Sequence, residues 1–131
     1  MKNRKIIIKI TAYLTVGLLF TLLTSNTKID SLKKVIETAD HDTTKVKALA
    51  DLAWELKYSN PDTSILLNNQ ALQIYKKRND RKGISSCYSD LGVYYWIKSD
   101  YPTALDYHFK ALAYREKQND LKGMAMSYNN I

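Results

Sequence analysis

The chain has 131 residues, 45% hydrophobic and 25% charged, the balance of a globular protein and not of a disordered one. Length allows one domain at most, and four Gly with two Pro are too few for tight-turned β architecture. The net charge is +7, but Lys2, Arg4, Lys5 and Lys9 cluster at the start; the sixteen Lys and Arg that remain face thirteen Asp and Glu. The rest of the chain is only mildly basic, so no nucleic-acid surface is expected.

Those four basic residues precede an apolar run from Ile10 to Leu23. A basic segment followed by an apolar one of this length has the pattern of an export signal. The run is shorter than the roughly 20 residues of a membrane span, and extending it back to Ile6 brings Lys9 inside. Residues 1–25 therefore read as a signal peptide or an uncleaved N-terminal anchor. If it is uncleaved, only residues 6–23 would touch a membrane, and the repeats would lie outside the cytoplasm, exported to the periplasm or anchored in the inner membrane. Thr24-Ser25-Asn26 is a mediocre cleavage site, and no Cys follows to carry a lipid.

Residues 26–42 read as a short capping helix and linker. Ile29, Leu32, Val35, Ile36 and Ala39 fall at helical spacing opposite a charged face. A helix is expected from Thr44 to Tyr58, capped by Asp42 or Thr43, with Val46, Leu49, Leu52, Ala53 and Leu56 inward. Asn60-Pro61-Asp62 ends it. The next helix, Ser64 to Arg78, would be capped by Asp62 or Thr63, with Ile65, Leu66, Ala71, Leu72 and Tyr75 inward. A third long helix is expected from Gly83 to Lys98. A fourth, capped by Asp100 with Pro102 in its first turn, runs to Gln118. A fifth begins at Leu121. Gly92 and Ala104 are small enough for the third and fourth helices to approach closely.

The chain repeats itself. Asn79-Asp80 and Asn119-Asp120 are 40 residues apart, as are Lys82-Gly83 and Lys122-Gly123, Ala71-Leu72 and Ala111-Leu112, and Tyr88 and Tyr128. A period of this size, with a helical hairpin in each repeat, indicates a helical solenoid. The repeats cover 43–80, 81–120 and a partial 121–131. About three repeats are needed for stability, so marginal stability is expected.

Residues 43–131 resemble the tetratricopeptide repeat family, and 81–120 most closely. Tyr88, Leu91, Gly92 and Tyr95 match its first-helix pattern. Ser99-Asp100-Tyr101 matches its Gly-Asp-Tyr turn, with Ser in place of Gly. Ala104-Leu105, Tyr107 and Lys110-Ala111-Leu112 match its second helix. The resemblance implies an all-α fold: a TPR-like solenoid of antiparallel helix hairpins in a right-handed superhelix, incomplete at the C-terminus. The long period is similar to that of bacterial regulators, including the exported N-terminal repeats of sensor histidine kinases, although nothing here resembles a kinase. The end at Ile131, partway along a helix, suggests a fragment.

The resemblance also implies a role: a non-catalytic module that binds a protein or peptide in its concave groove. Family register places Ala50, Trp54, Lys57, Ser86, Ser89, Val93, Trp96, Met126 and Asn129 on that face. Family members that grip a terminal carboxylate use Lys and Asn where this chain has Ala50 and Trp54, and a later Asn where it has Asp90. An apolar or mixed groove is therefore expected. Self-association through the open third repeat is the alternative.

The residues offer no catalytic constellation, metal cluster or cofactor loop, so no enzyme, metal or cofactor is expected. His41 reads as solvated in a turn, and His108 as packed on a helix. Asp62, Asp80, Asp100 and Asp120 recur at turns and read as helix caps. Cys87, the single cysteine, reads as buried filler. Tyr95, Tyr101 and Tyr107 read as packing.

Overall fold

The computed structural model describes residues 27–131, so the signal or anchor expected over residues 1–25 lies outside the described part. Every regular element described is an α-helix: α1 (residues 27–38), α2 (Asp42–Leu56), α3 (Pro61–Lys77), α4 (Arg81–Ile97), α5 (Tyr101–Glu116) and α6 (Leu121–Asn130). The fold class is all-α. Among the described residues, no helix is long and apolar enough to cross a membrane.

The linkers between α2 and α6 are residues 57–60, 78–80, 98–100 and 117–120. Each helix in this series packs substantially on its predecessor, as short helix–helix loops require. Residues 32–131 make one compact unit.

Three turns share one construction. Asn79, Ser99 and Asn119 take positive φ, at 54°, 63° and 52°. A left-handed residue after a helix lets the chain turn while the last carbonyls find donors. Asp80 N, Asp100 N and Asp120 N accordingly donate to Tyr75 O, Tyr95 O and Arg115 O, at 2.9 to 3.0 Å. The following Asp then caps the next helix: Asp80, Asp100 and Asp120 accept from the backbone N of Gly83, Thr103 and Gly123. Asn tolerates this backbone well; Ser99 does so less readily.

Two expected caps are corrected. His41 occupies the N-cap of α2 and makes no side-chain cap bond. At α3, Asn60 is the N-cap and accepts from Thr63 N at 3.1 Å. Pro61 occupies the first helical position, where its missing N–H costs nothing. The helix therefore starts earlier than Ser64, and Asp62 instead pairs with Lys98.

The core is formed by Val46, Leu49 and Ala53 of α2, Ala71 and Leu72 of α3, and Ile84, Cys87, Leu91 and Tyr94 of α4. Within α3 the expected inward face is corrected. Ser64, Asn68, Ala71 and Leu72 are buried, whereas Leu66 is 58% exposed. The spacing 64, 68, 71, 72 follows the helical period through polar residues, and Leu66 falls on the other side. Asn68 compensates for its burial by donating from Nδ2 to Cys87 O at 2.8 Å, tying α3 to α4.

An aromatic layer joins α4 to α5. Tyr95 stacks on Tyr107 at 5.4 Å between ring centroids, and Tyr88 packs against both Tyr107 and Tyr114. Tyr101 takes no part in the core; it is 58% exposed at the start of α5. The small residue at Gly92 admits a side chain, not a backbone: an added Cβ would collide with the His108 ring.

Candidate functional site

α4 and α6 both lie against α5, and residues of both helices meet around two cavities. The first, of about 280 Å³, is lined by Val93 and Trp96 of α4, His108 of α5, and Asn129 and Asn130 of α6. The second, of about 290 Å³, has Lys82, Ser85 and Ser86 on one side and Lys122, Gly123 and Met126 on the other, with Arg115 and Asp120 between.

The helical period explains this assembly. Lys82, Ser86, Val93 and Trp96 recur along one face of α4. Lys122, Met126 and Asn129 do the same on α6, and Lys82 and Lys122 are equivalent under the 40-residue repeat. The two cavities thus follow one another along the same pair of helices, from their N-terminal to their C-terminal ends. At 1.5 Å per residue, Ser86 and Val93 are about 10 Å apart along α4.

Five of the nine groove candidates line these cavities: Ser86, Val93, Trp96, Met126 and Asn129. Trp96 is 60% exposed and Met126 51%. Ser89 is buried, at 8% exposure, because it lies between the groove stripe and the core stripe of α4, so it offers little to a ligand. Ala50 is half-buried. Trp54 and Lys57 stand apart from both cavities: Trp54 packs on Tyr94 at 6.5 Å, and the Lys57 ammonium sits 4.1 Å from the Trp54 ring centre.

The groove register did not single out Arg115, which lines the second cavity. Arg115 is 94% buried by its 6% exposure, and its guanidinium donates from one terminal nitrogen to Gly123 O at 3.1 Å and Ser127 Oγ at 2.7 Å. Tyr94 is fully buried, and neither its hydroxyl nor His108 Nδ1 has a hydrogen-bond partner. Asp90 is pushed up to about 7 by burial, an effect the nearby Arg115 charge only partly offsets. The signal for Arg115 was available: it breaks the 40-residue repeat, standing where the preceding repeat has Tyr75.

The chemistry of the remaining titratable groups is that of a packed interior. Burial pushes the Cys87 thiol up to about 12, which keeps it protonated and unreactive. Burial and the Arg115 charge hold His108 below its ordinary value, so it is neutral at pH 7. Asp80, Asp100 and Asp120 are engaged as caps. Among the described residues no cluster of His, Cys, Asp and Glu could hold a metal ion.

No protein-family model matches the chain, and no curated protein matches it.

Proposed function

We propose that the chain is a tetratricopeptide-like repeat module, a solenoid of helix hairpins that binds an extended peptide segment along the α4–α6 face. The observation that carries this reading is the convergence of Val93, Trp96 and Asn129 on one cavity. These residues come from two helices and fill positions that the repeat register assigns to the groove. The 40-residue spacing, the three shared turns and the packing of consecutive helices support the solenoid. An exposed Trp beside a cavity is the kind of anchor on which binding energy concentrates. An exported or membrane-anchored setting, in a sensory or scaffold role for a bacterial regulator, goes with this reading through the basic and apolar start of the sequence.

Peptide display against the full chain, followed by affinity measurement for the selected peptides, tests the proposal. Trp96→Ala is expected to weaken binding about tenfold or more, in line with the cost of removing a hot-spot aromatic. Unchanged affinity would refute the groove.

Self-association is the second reading, favoured by exposed apolar side chains at this end of the described residues: Leu121 and Tyr128 of α6 and Ile131 just after it, at 77%, 59% and 45%. Sedimentation separates the two, since a monomer at micromolar concentration eliminates pairing through α6.

A further inference from the structure

Exposed aromatic side chains gather at one end of the helix stack. Short linkers make consecutive helices antiparallel, so the C-terminal ends of α2, α4 and α6 fall at the same end as the starts of α3 and α5. Contacts across the stack agree. Trp54 of α2 packs on Tyr94 of α4, and Lys98, just after α4, pairs with Asp62 of α3. Trp96 of α4 shares a cavity with Asn129 and Asn130 of α6. Trp54, Tyr58, Trp96, Tyr101 and Tyr128 all stand within a turn of this end, and they are between 42% and 74% exposed.

The opposite end is built differently. Among the described residues, Leu121 is the large apolar side chain exposed there. Lys76, Lys77, Arg78, Arg81 and Lys82 stand exposed around the turn between α3 and α4. At the aromatic end charge is mixed, with Lys57 and Lys98 beside Glu55, Asp62 and Asp100. Much of it is met within the chain. The Lys57 ammonium lies 4.1 Å from the Trp54 ring centre and 4.8 Å from that of Tyr58. Lys98 pairs with Asp62, and Asp100 caps α5. Trp and Tyr join a broad apolar body to one polar group, and Lys can lay its stem on apolar surface while its ammonium reaches water. That combination is the one enriched at the boundary between lipid chains and water. The five rings are also distributed over four helices and a linker. A peptide is gripped where side chains converge, whereas a rim of separate rings suits a broad, fluid surface.

We infer that the aromatic end is a membrane-contacting rim, seated in the interface of a lipid bilayer with its rings among the headgroups and the first acyl carbons. Ring burial supplies the contact and headgroup charge does not, so attachment needs no anionic lipid and changes little with salt. The inference rests on the membrane setting of the proposed function and is independent of the groove. A tether at residues 1–25 raises the local concentration of bilayer at the rim, and the rim determines which end of the helix stack meets it.

The two Trp residues of the chain, Trp54 and Trp96, both lie on the rim and report on it directly. The test mixes the full chain with phosphatidylcholine vesicles at low and high salt, floats the vesicles, and compares Trp emission between ordinary and acyl-brominated lipid. The expected result is flotation at both salt levels, emission shifted to shorter wavelength, and loss of emission in the brominated vesicles. Tyr58→Ser with Tyr101→Ser removes two exposed rings that line neither cavity of the α4–α6 face. It should lessen the bromine quenching and leave affinity for the peptides selected by display unchanged. Flotation without quenching would overturn the rim and leave the membrane setting standing. Flotation that requires phosphatidylglycerol, disappears at high salt and brings no quenching would overturn it in favour of attachment by the basic end. Quenching undiminished in the double variant would overturn the assignment to these rings. No flotation at all would remove the anchored setting and the rim together.

Discussion

Asp90 carries the clearest consequence for stability. Burial raises its native value to about 7, against an ordinary value of 3.8. Below about pH 4 the carboxyl is protonated in both folded and unfolded chains and costs nothing. Between about pH 4 and 7 the unfolded chain ionises first, so the folded state binds more protons and loses stability as pH rises. The full effect is on the order of 4 kcal/mol. Asp90→Asn is expected to flatten the dependence of Tm on pH across that interval and to raise Tm at pH 8. A variant as pH-sensitive as the parent would contradict the burial assigned to Asp90.

Between α4 and α5, contact is made by side-chain interlock. The His108 ring fills the space above Gly92, and Tyr95 stacks on Tyr107. Gly92→Ala must displace a ring that is 5% exposed, and overpacking of this kind costs about 1–3 kcal/mol. Thermal unfolding should register that loss, whereas the double variant Gly92→Ala with His108→Ala should recover part of it. Equal stability of Gly92→Ala and the parent would mean that the ring has room to move. The sequence pointed to Gly92 as a place of close approach, because a residue without a side chain stands out on an apolar helix face. It did not identify the occupant, because His108 lies on a different helix and its pairing depends on the register between the two. Caps divided in the same way. Asp80, Asp100 and Asp120 follow a left-handed residue and sit where the local pattern puts them. At α3 the pre-organised φ of Pro61 moved the helix start forward and gave the cap to Asn60.

Considered as a whole, the chain makes its repeat legible because equivalent turns impose equivalent residues 40 positions apart. Its inner faces are less legible, because burial here includes polar side chains. Ser64, Asn68 and Arg115 are buried and Leu66 is not, which a hydrophobic stripe cannot anticipate. Three residues that line the two cavities depart from the repeat: Arg115 for Tyr75, Met126 for Ser86, Asn129 for Ser89. These departures lie along α6 and the end of α5, facing the stripe of α4 that carries Lys82, Ser86, Val93 and Trp96. Away from the two cavities the chain also exposes apolar residues, with Leu66 at 58%, Leu105 at 40% and Phe109 at 50%. A peptide drawn by apolar surface alone could settle there. The most direct measurement is therefore backbone amide NMR of the full chain titrated with a selected peptide. Shifts confined to Lys82, Ser86, Val93, Trp96, Lys122, Met126 and Asn129 are the result the groove predicts; shifts centred on Leu66, Leu105 and Phe109 would contradict it.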